Sequence, residues 1–296
     1  MTDSVTFDLA NMYFYIWLNK YNRPLSKICI SHSPVAELYD EYNKDDGSLK
    51  PIRIMPDPFH VPSEYGVNKC EMVLCSYDTE RQIAIETFAE FADLDPIITF
   101  KCIIKLKSLQ RDYKTTKRLS VPQQQEYLKT VIQHCRTVML PIIQVDTDSS
   151  HYSKEHFYTF HISGSNVTVA DSVIVLAHIA KNIAELMDLE YELANMSVCF
   201  STREMRTSDA SVRADLVGKL LTKLINTHDD ALTVYNNHHD KYELFSCGDI
   251  DSGLLVRIPS HPDRIPFIED CRISPISNVY KVCDFLLKIC ASKDEL

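Results

Sequence analysis

The residues with the clearest chemical potential in this chain are an arginine and a carboxylate near its C-terminal end. Arg257 lies in a strand-like run, and Glu269 follows on the far side of a short, proline-containing return loop. We therefore expect both side chains to face one cleft. A guanidinium suits a phosphate group, and a carboxylate suits a divalent metal ion. The spacing predicts a polar, ion-binding cleft in this part of the chain.

Composition and charge narrow the classes of function. The chain has 296 residues, of which 45% are hydrophobic and 24% charged, which is typical of a soluble globular protein. Its net charge of -10 disfavours nucleic acid and anionic membranes as partners, because both attract basic surfaces. Only 6 residues are glycine, and no glycine-rich phosphate-binding motif is present. We therefore expect neither a nucleic-acid nor a membrane partner.

The cysteines and the termini bear on the compartment. The 10 cysteines form no CxxC pair, which favours buried free thiols in a reducing environment; a zinc site that uses His238 and His239 is the alternative. The apolar run Met12 to Leu18 is short and follows acidic residues, so it predicts a buried strand rather than a signal peptide. The final residues Lys293 to Leu296 read KDEL, an address that is recognised only in the endoplasmic reticulum lumen. We interpret this tail as coincidental and expect a cytoplasmic protein.

Hydrophobic periodicity predicts strands and helices in alternation. The run 97–106 is mostly apolar and rich in β-branched residues, so it should be a central strand, whereas the proline-rich stretch 51–68 predicts an irregular loop. Asp171 is a candidate cap for a helix. The pattern predicts an α+β or α/β protein with these elements: strands at 12–18, 25–30, 141–145, 156–162 and 254–258, and helices at 78–94, 122–139, 171–189, 212–228 and 280–291.

The region around Arg257 resembles the C-terminal signature of glutamine synthetase, of the eukaryotic (type II) kind. The matching residues are Phe245-Ser246, Gly248, Gly253, Arg257-Ile258-Pro259, Glu269-Asp270, Arg272 and Asn278. Further similarity lies in 11–48, 68–76 and 197–206. The resemblance implies a small N-terminal β-grasp domain over residues 1–78. It also implies a larger catalytic-type domain, an antiparallel sheet with helices, over 79–296.

The resemblance also assigns candidate site residues. Glu269 matches a metal-ligand position of the family, and Arg257 and Arg272 match two of its substrate-binding arginines. Asp45 matches a loop aspartate that reaches the neighbouring subunit's active site in the family. For Asp45, an ordinary acidic surface loop is an equally good interpretation.

Most of the metal-ligand positions of the family carry other residue types here. The two glutamates of its central E-x-E strand correspond to Lys101 and Ile103, a further glutamate corresponds to Thr159, and the metal-binding histidine corresponds to Ser197. None of these four supplies the hard carboxylate oxygens that Mg²⁺ prefers. The departures imply a fold that is kept while its two-metal phosphoryl-transfer chemistry is lost.

Three functional interpretations follow from this comparison. The first is a catalytically inactive glutamine synthetase-like protein without metal or other cofactor. It would act as a binding, scaffold or regulatory subunit in a ring with itself or with a related glutamine synthetase subunit. The second is an active glutamate-ammonia ligase that uses ATP and Mg²⁺. The third is a ligase repurposed for another substrate, with His156, His161, Cys199, Cys271 and Glu269 as its candidate groups.

The first interpretation makes one geometric prediction. A buried Glu269 that has lost its metal ions would be an uncompensated charge, which is costly unless it is paired. Lys101 lies at one of the emptied ligand positions and carries the positive charge that a metal would supply. We therefore expect the Lys101 ammonium to lie within salt-bridge distance of Glu269.

Overall fold

In a computed structural model of the chain, the structure describes residues 13–19, 50–56, 59, 67–76, 78–108, 119–148, 155–236, 247–248, 255–258 and 267–291. Several sequence expectations lie outside these residues. They are the strand at 25–30, the loop with Asp45, the histidine pair His238 and His239, and the C-terminal KDEL tail.

The strands of the N-terminal region form a three-stranded antiparallel sheet of order β1-β3-β2. The strands are β1 (Tyr13–Asn19), β2 (Lys50–Pro56) and β3 (Val67–Ser76). The prediction for β1 is confirmed. The prediction of an irregular loop at 51–68 is wrong for β2, because a proline can lie in a strand at a sheet edge, where no neighbour needs its missing N–H. Pro51 and Pro56 both occupy such an edge strand.

The remaining strands form a seven-stranded sheet of order β5-β6-β4-β7-β10-β9-β8. All its neighbours are antiparallel except β8 and β9, and the predicted central position of β4 is confirmed. An antiparallel sheet with helices places the protein in the α+β class. The strands are β4 (Ile97–Ser108), β5 (Ile142–Asp148), β6 (His156–Gly164), β7 (Leu189–Ser201), β8 (Cys247–Gly248), β9 (Val256–Arg257) and β10 (Ile268–Asp270).

Helices connect most of these strands. They are α1 (Asp78–Glu90), α2 (Val121–Thr137), α3 (Thr168–Leu186), α4 (Arg203–Thr207), α5 (Ala210–Asn226), α6 (His228–Val234) and α7 (Val279–Ala291), with a 3₁₀ turn at Ala92–Leu94. A capping box begins α2, because the Ser120 hydroxyl accepts from the Gln123 N–H while the Gln123 side chain accepts from the Ser120 N–H. Within the described ranges, no helix combines the length and apolarity needed to cross a bilayer.

The apolar helix α3 packs on one face of the large sheet. It contacts β4, β6 and β7, and nearly all of its residues from Val169 to Ala184 are buried. Burial along β4 alternates strictly, with Ile98, Phe100 and Cys102 buried and the residues between them half-exposed. The strands therefore present an apolar side to α3 and a more polar side to the opposite face, as expected for a two-layer α+β protein.

Three sequence expectations are corrected in this region. Residues 189–201 form the long strand β7, which the sequence analysis did not predict. The helix expected over 212–228 is confirmed as α5, which ends at Asn226, but the sequence did not predict the short helix α6 that begins at His228. Asp171 does not cap α3, which begins three residues earlier.

Asp171 instead joins three helices through buried hydrogen bonds. It is fully buried in the first turn of α3, and it accepts two bonds from the Arg81 guanidinium of α1, at 3.0 and 2.9 Å. It also accepts a bond from the Tyr280 hydroxyl of α7 at 2.8 Å. A buried carboxylate is tolerated when its oxygens are satisfied in this way. Asp171 therefore adds a shared buried anchor to the direct contacts between α1 and α7, such as the Thr87 to Asp284 hydrogen bond.

We predict that Asp171→Asn lowers the free energy of unfolding by about 3 kcal/mol, because it leaves the Arg81 guanidinium without its anion. Tyr280→Phe removes one hydrogen bond and should cost only about 1 kcal/mol. Urea denaturation followed by circular dichroism measures both. Equal, small losses in the two variants would contradict the central role of Asp171.

Candidate functional site

The face of the large sheet opposite α3 carries the candidate polar site. In β4, Lys101 and Ile103 belong to the half-exposed set of alternating residues. Lys101 pairs with Ser197 of β7 on one side and with His161 of β6 on the other, and Ile103 pairs with Thr159 of β6. Directly opposed residues in neighbouring strands point to the same face. The structure therefore gathers the positions that the sequence comparison singled out.

Glu269 lies on the same face, in β10. It pairs with Cys199 of β7 and with Arg257 of β9, so Arg257 and Glu269 do share one cleft, as the sequence predicted. The short strand β10 is completely buried on both faces, and Glu269 is only 5% exposed. Its carboxylate must therefore find its partners within the protein.

The partners of Glu269 are an ammonium, a hydroxyl and a guanidinium. The Lys101 Nζ lies 2.7 Å from its Oε2, which confirms the predicted salt bridge. The Ser197 hydroxyl donates to its Oε1 at 2.6 Å, and the Arg257 Nη1 lies 3.7 Å from the same oxygen. The Lys101 ammonium also lies 5.3 Å from the centre of the Phe267 ring, a cation–π distance. Both carboxylate oxygens are thus occupied by donors from three different strands.

The electrostatics of this cluster keep Glu269 ionised. Burial by itself raises the pKa of Glu269, but the Lys101 ammonium, the Ser197 hydroxyl and the Arg257 guanidinium outweigh it, and the net pKa lies below its ordinary value of 4.5. Burial raises the pKa of the neighbouring Cys199 and Cys271 thiols to about 12. Both thiols are therefore neutral at pH 7 and poor nucleophiles.

These residues do not fit a divalent metal ion. A cation at Glu269 would have to displace the Lys101 ammonium, which already lies at hydrogen-bond distance and carries a like charge. The neighbouring positions offer an aliphatic chain at Ile103 and hydroxyls at Thr159 and Ser197, whereas Mg²⁺ and Mn²⁺ prefer carboxylate oxygens. Within the described ranges, no group of three or more histidine, cysteine or acidic side chains is arranged to hold a metal.

The other sequence candidates lie elsewhere. Arg272 is fully buried and binds Asp270 through two of its nitrogens, at 2.9 and 2.6 Å, so it does not reach the cleft. The Arg272 Nη1 also donates to the Leu224 carbonyl and contacts the His228 ring. His156 is buried on the α3 side of β6, away from His161. The five groups of the repurposed-ligase interpretation therefore do not all converge.

One dyad on the open face was missed by sequence reasoning. The His161 Nε2 lies 2.9 Å from the Asp146 Oδ2, and Asp146 also accepts from the Gln144 side chain at 2.8 Å. The Gln144 bond is the main cause that holds the pKa of Asp146 below its ordinary value. Alternation along β6 and β5 could have placed both residues on one face, but the pairing of those two strands was not predicted. The open face thus carries a row of ionic groups from β5 to β9.

Comparisons with known proteins leave the ancestry of the chain open. No protein-family model and no curated protein matches it.

The first prediction from this site concerns the Lys101–Glu269 pair. Lys101→Met should lower the free energy of unfolding by about 2 kcal/mol, because it removes the nearest counter-charge of a buried carboxylate. The double change with Glu269→Gln should recover about half of that loss, since the charge is then gone as well. Lys219→Met, which affects an exposed pair within α5, is the control and should change little. Additive effects of the two substitutions would contradict the pairing.

The second prediction concerns pH. Because the pKa of Glu269 is lowered in the folded protein, its contribution to stability is complete above the ordinary value of 4.5 and is lost as the pH falls through the lower folded value. The stability difference between the native protein and Glu269→Gln should therefore shrink steadily as the pH is lowered from about 6 to about 3. Urea titrations of both proteins across that range measure the difference. A gap that stays constant would contradict an ionised, paired Glu269.

Proposed function

We propose that this protein is a non-catalytic binding or scaffold subunit, in which an ion pair takes the place of a metal ion in a glutamine synthetase-like cleft. The observation that carries the proposal is the Lys101–Glu269 salt bridge of 2.7 Å at the centre of the open sheet face. In the sequence comparison, Lys101 replaces a metal-ligand glutamate and Glu269 is the ligand that is kept. A buried Glu269 without a metal ion needs another positive partner, and the Lys101 ammonium supplies one by direct contact.

The chemistry of the surrounding groups supports a structural role for the cluster. Phosphoryl transfer needs cations that are free to neutralise charge on a substrate. Here the Lys101 ammonium and the Arg257 guanidinium both face Glu269, and the carboxylate balances the charge of the nearer one, Lys101. The Ser197 hydroxyl donates a hydrogen bond to the same carboxylate, and the adjacent thiols are protonated at neutral pH. No group in the cluster is left as an activated nucleophile or base.

The finer features of the resemblance belong to the same proposal. They are membership of the glutamine synthetase family, a β-grasp arrangement for the N-terminal sheet, the division at residues 78 and 79, and assembly with itself or with a related subunit. The contacts of Glu269 with Lys101, Ser197 and Arg257 are the same whatever the ancestry of the chain, whereas the replacement of a metal ion by Lys101 rests on the resemblance. In either case the cluster stiffens the junction of β4, β7, β9 and β10 without a ligand.

Activity measurements test the proposal. With ATP, glutamate, hydroxylamine or ammonia, and Mg²⁺ or Mn²⁺, the purified protein should form no glutamine or γ-glutamyl hydroxamate, because Lys101 and Ser197 replace metal-ligating groups. An active glutamine synthetase serves as the positive control, and the Lys101→Met variant shows whether any residual signal depends on this cleft. Turnover above about 1 s⁻¹, an ordinary enzymatic rate, would overturn the proposal.

A further inference from the structure

The outer edge of the large sheet is exposed at β5. Among the described strands, β5 pairs with β6 alone, and the Ile143 side chain is 65% exposed. Gln144, Asp146 and Thr147 are exposed as well. An edge strand of this kind presents N–H and C=O groups that another extended segment can pair with.

One side of β5 forms a groove with helix α2. Val145 and Thr147 pair with Phe160 and Tyr158, whose buried side chains point to the α3 face, so their own side chains lie on that face too. Between this part of β5 and β6 and the first half of α2 is a cavity of about 180 Å³. Its lining combines apolar and aromatic side chains with amide, hydroxyl and imidazole groups, and consists of Val121, Gln124, Gln125, Leu128, Thr147, His156, Phe157 and Tyr158. Such a cavity suits an apolar side chain of an added strand.

The other side of β5 is acidic. Asp146 pairs with Thr159 and therefore points to the open face, where its side chain is 54% exposed. Its carboxylate accepts from the Gln144 side chain and lies 2.9 Å from the His161 Nε2, yet more than half of the side chain remains exposed to a partner. A residue directly opposite on an added strand would lie within about 5.5 Å, a distance at which opposite charges stabilise the pairing. A lysine or arginine therefore fits there, in keeping with the net charge of -10.

We propose that β5 and α2 form a docking groove for an extended, basic segment of a partner protein, which adds to the sheet as a further strand beyond β5. Alternate residues of the segment would point in opposite directions. Apolar ones would enter the cavity beside α2, and basic ones would face Asp146. Strands β6, β4 and β7 separate this edge from β10, so the groove is distinct from the Lys101–Glu269 cluster and does not depend on the function proposed for it.

A second copy of this chain is a poorer occupant. Two copies of β5 would bring two Asp146 carboxylates onto one small surface, and like charges in paired strands are destabilising. A basic strand removes the charge conflict. The two occupants are therefore distinguishable by experiment.

The test uses three fluorescein-labelled nine-residue peptides and the full chain. The first alternates lysine with valine and tyrosine, the second carries glutamate in place of lysine, and the third keeps the lysines but has two prolines in its centre. Fluorescence anisotropy measures affinity, and amide hydrogen exchange over 143–147 reports strand pairing. The first peptide should bind at least tenfold more tightly than either of the others. The proline peptide separates strand addition from simple attraction to an acidic protein, since proline cannot donate to a ladder.

Matched variants locate the binding surface. Asp146→Lys should weaken the basic peptide roughly fivefold or more and strengthen the acidic one. Asp215→Lys changes the net charge equally at an exposed position on α5 and should have little effect. Gln125→Trp places an indole at the cavity and should weaken the basic peptide without reversing the charge preference. Circular dichroism confirms that each variant is folded.

Three results would overturn the proposal. They are equal binding of the lysine and proline peptides, an equal loss with Asp146→Lys and Asp215→Lys, and no peptide binding at about 1 mM, which is weaker than a specific site should allow. A fourth result that would overturn the proposal comes from light scattering. A dimer of the native chain that dissociates with Ile143→Glu would show that the edge is occupied by a second copy rather than by a basic partner.

Discussion

Burial of the apolar helix α3 against β4, β6 and β7 is the constraint on which the rest of this structure depends. From Val169 to Ala184 nearly every residue of the helix is buried and most are apolar, so the helix must be covered on nearly every side. The sheet packs against one side of α3, and the helices α2 and α7 pack against other sides. Because side chains alternate along a strand, covering one face of the sheet with α3 directs every second residue to the opposite face. The polar site is a consequence of that alternation.

Buried carboxylates are the second recurring feature. Asp171, Glu269 and Asp270 are each at most 5% exposed, and each is paired with a cationic side chain, namely Arg81, Lys101 and Arg272. The Arg81–Asp171 and Lys101–Glu269 pairs join elements that are distant in sequence. The Arg272–Asp270 pair lies where strand β10 meets the following loop. Removing one partner of such a pair is more costly than replacing both. These pairs therefore favour one arrangement of the elements, although they add little net stability.

The two ends of the polar row differ in what they can do. Around Glu269 the charged groups are at least partly buried and contact one another, so they act on the protein itself. At β5 the groups are exposed, and the neighbouring backbone faces solvent. A partner has to break fewer existing protein contacts at an exposed edge with a cavity than at a closed ion-pair cluster. The candidate binding surface therefore lies at the edge of the sheet and the candidate structural cluster near its middle.

Sequence by itself determined the elements whose hydrophobic period is strong. The alternating burial of β4 follows from its apolar run, and α2, α3 and α7 follow from apolar residues at helical spacing. It also placed Arg257 opposite Glu269, because a short return loop brings two flanking segments together. Pairing Lys101 with Glu269 required the resemblance, which placed both residues in one cleft, together with the rule that a buried charge needs a partner.

Only the tertiary structure decided which strands are neighbours. The strand β7 mixes polar and apolar residues and has no clear period in its first half, yet it pairs with β4 along its length. Its position brings Ser197 beside Lys101 and Glu269. Asp171 looked like a helix cap, because a local pattern cannot reveal Arg81 and Tyr280, which approach from 90 and 109 residues away. Pro51 and Pro56 argued against a strand, since a sequence does not show that β2 lies at an edge. Strand order is set by packing between distant segments, and local propensity does not determine it.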